Sequence, residues 1–416
     1  MSRQRVYFFN RFFWPDNSAT AQILTDLCRG LDKREYAVTV VTSRLNYGDP
    51  AVAYPGQEEF QGIEISRLWS TRFGRSTLLG RLLDYATIYL SFFVFTISRL
   101  GAEDIAVFKT DPPLLSIPGA VGKTVKGFRM VAWCQDVFPE VATSGIQLPK
   151  GAGLIFNVLA RIRDWSLQVA DAVVVLGKDM TDFLSMRGIP KEKLQEISNW
   201  SVQDEEPSIN EAALREKWGI PTGTFVVGYS GNLGRAHDWE TLLEAARLLK
   251  QEKDLLFLCC GGGHGYEQLK IAVEEEQLQE LFGFLPYQPL ELLGATLRVP
   301  DIHWLTLKES LTPFIFPSKF FGILQAGRPL IFIGSTAGEI AGLIRSNKIG
   351  HALSEGQGTA LAEVIRSAKA DQEKSAKAGK LARVLWEEKY QKSLEIEKWK
   401  QVLVRLGTPG RGGKND

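Results

Sequence analysis

The second half of the chain contains a glycine-rich loop whose residue types suit the binding of a diphosphate. Residues 231–235 read Gly-Asn-Leu-Gly-Arg and follow the apolar run 225–229. Glycines let backbone N–H groups approach a phosphate, and an arginine can pair with one through two parallel hydrogen bonds. We expect Arg235 to lie at the start of the helix that follows, where the helix dipole adds positive potential. A tight turn with a solvated arginine is the alternative interpretation.

A second loop, at residues 316–319, carries a lysine beside a predicted helix start. Its sequence is Phe-Pro-Ser-Lys, and Ala326 and Gly327 end the helical stretch that follows. We predict that Ser318 caps this helix and that Lys319 lies in its first turn, where the helix dipole disfavours a cation. A lysine there indicates an anionic ligand, unless its side chain simply extends into solvent. The two loops together predict a diphosphate site formed by Gly231, Asn232, Gly234, Arg235, Ser318 and Lys319.

A third glycine-rich segment, Gly-Gly-Gly-His-Gly at residues 261–265, follows the apolar run 255–260. It does not fit the dinucleotide-binding fingerprint, because Tyr266 stands where the last glycine is needed. No acidic residue ends a strand ~20 residues later either, as that fingerprint requires. We therefore interpret residues 261–265 as a plain turn.

Polar residues also follow three predicted strands in the first half of the chain. Open α/β sheets bind ligands at the carboxyl ends of their strands, so these loops are candidate sites. Asp136, which follows the run 130–134, is the carboxylate that we expect to contact a ligand. We expect Asp16 either to bind a ligand or to cap the first helix. A structural role in a turn is the alternative for each carboxylate. The further candidates in these loops, with Asp16, are Asn17, Ser18 and Asp111.

Short apolar runs alternate with amphipathic helical stretches along the whole chain. The runs cover residues 6–9, 38–42, 105–108, 130–134, 172–176, 225–229, 255–260, 282–285 and 330–333. This alternation is typical of parallel sheets built from βαβ units. The polar segment 200–210 interrupts it and divides the chain into 1–200 and 201–384. We predict an α/β protein with two doubly wound domains, a helix at about 385–407 that packs back on the first, and a flexible tail at 408–416.

Composition excludes several classes of protein. The 416 residues are 44% hydrophobic and 23% charged, which is typical of globular domains and not of disordered or coiled-coil chains. A net charge of +1 provides no general field for nucleic acid. The four cysteines and four histidines have no zinc-site spacing. The pattern of the cysteines, and a start without a secretory leader, indicate a reducing and cytoplasmic location.

A basic and aromatic segment precedes the uncharged run 85–98, which is too short to cross a bilayer that needs ~20 apolar residues. Between residues 65 and 83 there are four arginines and no acid, interleaved with Trp69 and Phe73. This pattern predicts peripheral contact with an anionic membrane, at its cytoplasmic face. A buried helix at 85–98 with its arginines on a solvated loop is the alternative. The arginines are Arg67, Arg72, Arg75 and Arg81.

Taken together, these segments resemble the retaining glycosyltransferases of family four, which have the two-Rossmann (B-type) fold, and in particular the bacterial branch that builds cell-surface polysaccharides. The resemblance covers nearly the whole chain. It is carried by Gly-Asn-Leu-Gly-Arg at 231–235, Trp-Cys-Gln-Asp-Val-Phe-Pro-Glu at 133–140, Ser-Asn-Trp-Ser at 198–201, and Pro-Ser-Lys with the following Ala-Gly-Arg-Pro.

The resemblance implies two Rossmann-like domains that face a central cleft, where the reaction takes place without an essential metal or other cofactor. A nucleotide-diphosphate sugar is held mainly by the second domain, and a glycan or polyprenyl-linked acceptor by the first. On this basis we predict that Asp136 contacts the reacting sugar or an acceptor hydroxyl. The tentative acceptor residues are Asp16, Asn17, Ser18 and Asp111. The tentative residues for the nucleotide and the sugar are His237, Phe284, Leu285, Gly322, Gly338 and Glu339.

The chain departs from the family pattern at four positions. The family's phosphate-binding arginine and lysine fall at Asn232 and His237 here, so Arg235 and Lys319 are the expected substitutes. The usual pair of glutamates falls at Phe314 and Gly322. Both carboxylates are therefore missing, and the nearest one able to replace either belongs to Glu339.

Two other functions remain open from the sequence. An epimerase of the same fold would isomerise a nucleotide sugar, but it needs an acid and a base flanking one sugar carbon, and no such pair is evident. A non-catalytic scaffold would have no use for two anion-binding loops. Hydrolysis of a donor in the absence of acceptor distinguishes these functions from sugar transfer.

Overall fold

The chain forms two compact units in the computed structural model, which describes residues 3–16, 18–49, 52–73, 78–144, 149, 151–202 and 209–407. The first unit comprises residues 1–198 with 393–416, and the second comprises residues 199–392. Asn17 and the tail 408–416, which figure in the predictions above, lie outside the described residues.

The first unit is built on an eight-stranded sheet in which only the edge strand β3 runs antiparallel to its neighbour. The strand order is β3-β4-β2-β1-β5-β6-β7-β8. The strands are β1 (Gln4–Phe9), β2 (Tyr36–Ser43), β3 (Gln57–Phe60), β4 (Ile63–Leu68), β5 (Ile105–Lys109), β6 (Arg129–Trp133), β7 (Ala172–Val175) and β8 (Leu194–Glu196). The helices between them are α1 (Ala19–Gly30), α2 (Leu78–Arg99), α3 (Ser116–Lys126), α4 (Glu140–Thr143), α5 (Ala152–Val169) and α6 (Lys178–Met186).

The second unit is built on a six-stranded parallel sheet with the order β11-β10-β9-β12-β13-β14. Its strands are β9 (Phe225–Asn232), β10 (Leu255–Gly262), β11 (Phe282–Leu285), β12 (Ile302–Thr306), β13 (Leu330–Ile333) and β14 (Gly350–Leu353). Its helices are α7 (Glu211–Lys217), α8 (Glu240–Leu248), α9 (His264–Glu275), α10 (Leu293–Arg298), α11 (Lys319–Gln325), α12 (Glu339–Asn347), α13 (Gly358–Ala370) and α14 (Gln372–Leu385).

The C-terminal helix α15 (Lys392–Gly407) packs on the first unit. Trp399 is fully buried there, with its ring centroid 4.5 Å from that of Trp133. Ile396 fills the space above Gly30, where an added Cβ atom would lie 2.6 Å from its Cδ1. The residues just before α15 stay with the second unit, because Tyr390 packs against the ring of Phe321 at 5.2 Å.

The predicted fold class is confirmed, since both units are doubly wound parallel sheets with helices between the strands. Each of the nine apolar runs coincides with a strand. Strands β3, β4, β8, β12 and β14 were not predicted. In β12 the polar residues His303 and Thr306 interrupt the apolar pattern, yet both are buried, and the His303 ring bonds the Leu297 carbonyl at 2.8 Å.

Candidate functional site

The candidate donor site lies at the carboxyl ends of β9, β10 and β12 in the second unit. The chain proceeds from β9 to β10 and β11 on one side, and β12 to β14 lie on the other. Such a reversal opens a crevice at the carboxyl ends of the central strands, where open α/β sheets bind their ligands. Gly231 and Asn232 end β9 at this point.

The two glycine-rich loops of this unit lie against each other. Gly231 pairs with Gly261 across β9 and β10, and both have positive φ angles, of 120° and 147°. A Cβ atom added at Gly261 would lie 2.1 Å from the carbonyl oxygen of Gly231, and one at Gly263 would lie 2.2 Å from Oδ1 of Asn232. Only glycine allows this close approach, so residues 261–263 form part of the wall beside the candidate site. Sequence reasoning missed this role, and the signal was a second glycine run at the end of the next strand.

Lys319 extends from the start of α11 to the end of β9. A Cβ atom added at Gly231 would lie 2.8 Å from Cε of Lys319, so the lysine side chain passes over this glycine. Its Nζ lies 5.3 Å from the centroid of the Tyr229 ring, within the range of a cation–π interaction. Burial lowers the pKa of Lys319 to about 8. Within the described part of the chain, no carboxylate forms an ion pair with this ammonium.

His237 lies beside the same ammonium. Its Nε2 is 3.4 Å from Nζ of Lys319, which assigns the ring hydrogen to Nδ1, since Nε2 accepts from the ammonium. Nδ1 is buried without a hydrogen-bond partner among the described residues. Burial and the cations of Lys319 and Lys308 lower the pKa of His237 to about 3, so the ring is neutral at pH 7.

Two predictions about these loops are wrong in detail. Ser318 occupies the N-cap position of α11, but its φ and ψ of −58° and −20° are helical, and its side chain makes no cap hydrogen bond. A capping serine needs extended backbone angles, which explains the difference. Arg235 is exposed and lies five residues before α8, which begins at Glu240. The helix begins late because the Asp238 N–H donates to the Thr306 hydroxyl at 3.1 Å and its Oδ1 accepts from Thr241.

The other predicted donor residues lie on neighbouring elements of the second unit. Phe284 and Leu285 end the edge strand β11, where Tyr266 donates a hydrogen bond to the Leu285 carbonyl at 3.1 Å. Gly338 is the N-cap of α12 and Glu339 its first residue. Gly234 accepts a backbone hydrogen bond from His237 at 3.2 Å.

The positions of the missing glutamates offer no polar replacement. Phe314 is buried, with 9% of its surface exposed. Gly322 lies within α11, where an added Cβ atom would be 3.1 Å from Cδ1 of Leu297.

Asp136 follows β6 in the first unit and is the strongest candidate there. The Thr110 hydroxyl hydrogen-bonds its carboxylate, and Oδ1 is buried without a partner among the described residues. Burial, with a smaller contribution from the nearby Asp111 carboxylate, raises the pKa of Asp136 to about 6. This carboxyl group can therefore change its protonation state close to neutral pH.

Arg163 fixes the loop that carries Asp136. It is 4% exposed, and its guanidinium donates to the Phe138 carbonyl at 3.0 Å. Two further bonds, of 3.0 and 2.8 Å, reach the Glu140 carboxylate in the bidentate geometry that suits arginine. This network ties residues 138–140 to α5.

Lys109, at the end of β5, was missed by sequence reasoning. It is 1% exposed, donates to the Thr20 carbonyl at 2.7 Å and lies 4.1 Å from the centroid of the Trp133 ring. Burial lowers its pKa to about 7. The signal was a charged residue that directly ends an apolar run. Lys109 and Asp136 line the same small cavity.

The predicted acceptor residues serve partly structural roles. Asp16 accepts hydrogen bonds at Oδ1 from the Tyr47 N–H at 3.0 Å and from the Asn46 side chain at 3.1 Å. It does not cap α1. Ser18 does so, accepting from the Ala21 N–H at 3.3 Å. Asp111 follows β5 and accepts the Arg11 N–H at its carbonyl oxygen, at 2.6 Å.

Across the described ranges, no three His, Cys, Asp or Glu side chains converge in a way that could hold a metal ion. Within the same ranges, none of the helices combines the length and apolar character needed to cross a bilayer. All four cysteines are buried and free.

Comparison with known proteins supports the architecture. Residues 18–200 match a family model described as a glycosyl transferase 4-like domain, and residues 210–384 match one described as glycosyl transferases group 1. The chain is 27% identical over 376 residues to the probable glycosyltransferase WbjE of Pseudomonas aeruginosa, covering 87% of this chain and 88% of WbjE.

A second relative is also named as a glycosyl transferase, and a solved structure has the same fold. The putative colanic acid biosynthesis glycosyl transferase WcaI of Escherichia coli K12 is 28% identical over 255 residues, 60% of this chain and 62% of WcaI. The crystal structure of HepE from Anabaena in complex with UDP-glucose superposes with a TM-score of 0.69 at 14% identity, covering 97% of this chain and all of HepE. The chain therefore belongs to the glycosyltransferases with the two-Rossmann (B-type) fold.

Proposed function

We propose that the protein transfers a sugar, with retention of the anomeric configuration, from a nucleotide-diphosphate sugar to a glycan or a polyprenyl-linked acceptor. One observation carries the proposal. The ammonium of Lys319 is buried beside the glycine loops, its pKa is lowered by burial, and no described carboxylate neutralises it. A buried cation without a counter-ion is costly unless an anionic ligand supplies the missing charge.

The diphosphate of the donor is the anion that best fits this arrangement. Lys319 supplies a point charge, and exposed Arg235 supplies a planar fork that forms no hydrogen bond or ion pair with a described residue. Gly231 lets the Lys319 side chain pass close over the end of β9. These groups stabilise the negative charge that develops on the diphosphate as the glycosidic bond breaks, which is the main demand of this transfer.

Retention would follow if the departing diphosphate oxygen accepts the proton of the acceptor hydroxyl on the same face of the sugar. The protein then needs no strong base of its own. In this mechanism the Asp136 carboxylate contacts the reacting sugar or the acceptor hydroxyl and orients it. No metal has a role, so activity should persist in the presence of a chelator.

The names of the relatives support the choice of donor and pathway. HepE was crystallised with UDP-glucose, which makes a UDP-sugar the first donor to test. WcaI is named for colanic acid biosynthesis, which favours a role in the synthesis of a surface polysaccharide. We place the protein in the cytoplasm, where nucleotide sugars are available, and at the inner face of the membrane that carries a polyprenyl-linked acceptor.

Calorimetry with UDP and hydrolysis of UDP-glucose without acceptor test the proposal. Arg235→Ala should weaken UDP binding by ~10-fold or more, because a charge-assisted contact is worth ~1.5–3 kcal/mol. Arg247→Ala is a matched control, since Arg247 is an exposed arginine of α8 paired with Glu276. No binding of any nucleoside diphosphate by the wild-type protein would refute the proposed donor class. NMR of the anomeric proton of the product tests retention.

A further inference from the structure

Three neighbouring helices of the first unit present an apolar surface to solvent. Helix α3 packs against both α2 and α5. Of the 25 large apolar side chains that are exposed in the described ranges, 12 belong to these three helices. The described part of the second unit has six such residues, and no helix of that unit carries more than one of them. We refer to the outward surfaces of α2, α3 and α5 as the apolar helix face.

Helix α2 carries apolar residues on both its inward and its outward side. Its exposed side chains follow the helical period, and its buried side includes the charged residue Asp84, which is 6% exposed. The Asp84 carboxylate accepts hydrogen bonds from the Thr71 hydroxyl at 2.8 Å and the Phe73 N–H at 3.0 Å. Ile88 and Phe92 are buried on the same side as Asp84, while five further apolar residues face outward. The exposed residues are Leu79, Leu82, Leu83, Leu90 and Val94.

Helix α5 also exposes apolar residues, and its buried side includes charged and polar ones. Arg163, Asp164 and Ser166 face inward and form hydrogen bonds, as described above for the Arg163 network. The outward stripe has exposures of 38–72%. Helix α3 adds Val121 and Val125 between the two. The outward residues of α5 are Leu154, Ile155, Val158, Ile162 and Trp165.

Among the described residues, the accessible charged groups of these three helices are all cations. The two carboxylates on the three helices, Asp84 and Asp164, are both buried and hydrogen-bonded. Arg161 is exposed on α5 and Lys126 is partly exposed at the end of α3. Trp69 and Phe73, beside α2, are 61% and 60% exposed. Apolar and aromatic side chains with cations and without accessible acids are complementary to an anionic lipid surface, where tryptophan and arginine lie at the headgroup level.

We propose that the apolar helix face binds the surface of an anionic lipid bilayer. This proposal extends the proposed function by naming the surface that brings the protein to a lipid-linked substrate. It rests on the proposed function only for the choice of acceptor. It also corrects the contact predicted from sequence. Arg67 is 4% exposed, pairs with Glu58 and donates to the Trp14 carbonyl at 2.8 Å, so it cannot reach lipid. Arg75 and the Arg81 side chain lie outside the description.

Flotation with vesicles tests the proposal. The vesicles contain phosphatidylcholine alone or with one third phosphatidylglycerol, at low salt. Wild-type protein should float with the anionic vesicles, and the double substitution Leu90→Glu with Val158→Glu should reduce its partition at least ~10-fold by burying charge at the interface. The matched control places the same change at two exposed apolar residues of the second unit, Leu248→Glu with Ile271→Glu, and should float like the wild type.

Further measurements separate the possible failures. Replacing Arg161 and Lys126 by serine should weaken binding to anionic vesicles only. Equal flotation of both double variants, or no flotation of the wild type, would overturn the proposal. So would light scattering that shows a wild-type dimer which the Leu90 and Val158 changes dissociate, since a second copy would then cover the face. UDP-glucose hydrolysis should be unchanged in the double variant. Vesicle binding without any donor hydrolysis would contradict the proposed function and leave the lipid surface intact.

Discussion

Replacing Lys319 by methionine should weaken donor binding and, at the same time, stabilise the protein. Methionine has a similar length and flexibility, so it can follow the same path over Gly231 without the charge. The pKa of the ammonium falls from 10.5 to about 8 on burial. Because each tenfold change in an equilibrium constant is worth ~1.4 kcal/mol, keeping the charge in the folded protein at pH 7 costs ~3 kcal/mol.

Lys319→Met should therefore raise the Tm of the second unit by at least ~5 °C, since ~1 kcal/mol moves a domain of this size by ~2–4 °C. The advantage should shrink as the pH rises from 8 to 10.5. In that window the unfolded wild-type chain binds the proton that the folded one has lost, so wild-type stability increases with pH. Differential scanning calorimetry at pH 7 and pH 10 measures both effects.

The affinity for UDP should fall ~10- to 100-fold in Lys319→Met, because a charge-assisted contact is worth ~1.5–3 kcal/mol. Wild-type affinity should itself decline above pH 8, by up to ~10-fold per pH unit, as the ammonium loses its proton. Lys250→Met, a change at an exposed lysine that follows α8, is the matched control. Unchanged UDP affinity in Lys319→Met, or an equal loss in Lys250→Met, would refute the assignment of Lys319 to the diphosphate.

Further predictions concern the remaining site residues. Asp136→Asn should fold normally and lose turnover. The kcat of the wild type should fall as the pH drops below about 6, where Asp136 becomes protonated. Full activity of the variant would make Asp136 a structural residue. The same substitution should stabilise the first unit at pH 7. Burial raises the pKa of Asp136 in the folded protein, so ionisation of this carboxyl group lowers the stability of the wild type as the pH rises through that pKa, and asparagine does not ionise. Arg163→Met should lower the free energy of unfolding by ~3–5 kcal/mol, measured with urea, because it leaves buried acceptors unpaired. Glu339→Gln should weaken UDP-glucose binding more than Glu355→Gln does, by calorimetry, and the reverse order would remove Glu339 from the site. Incubation with EDTA should leave the initial rate of transfer unchanged.

The fold class was readable from the sequence because strands of a parallel sheet are buried on both sides. Such strands form continuous apolar runs, which alternate with helical stretches in both halves of this chain. The strands that sequence analysis missed are short, lie at sheet edges, or contain polar residues. In β12, His303 is polar in sequence but satisfied in the core by the Leu297 carbonyl, which no local pattern reveals.

The sequence also identified the two loops of the candidate donor site, since a glycine turn and a lysine at a helix start are local signals. Their relation was decided by tertiary structure. Lys319 and His237 are 82 positions apart, and only the packing of α11 beside the end of β9 brings Nζ to 3.4 Å from Nε2. Likewise, the sequence of residues 261–263 is typical of a plain turn, and only the pairing of β9 with β10 places these residues against Gly231.

The outward side of α2 could not be chosen from its sequence. Residues 85–98 are uncharged throughout, so the helical period offers no contrast between an apolar and a polar side. Tertiary contacts determine which side of α2 faces solvent. Phe92 packs on Phe9 of β1 at 5.9 Å, and Asp84 turns inward to bind residues 71–73, which leaves Leu90 and Val94 in solvent. The sequence thus indicated most of the strands and the two loops that we propose bind an anion. Long-range packing determined which side chains meet, because contact between distant residues depends on the whole fold.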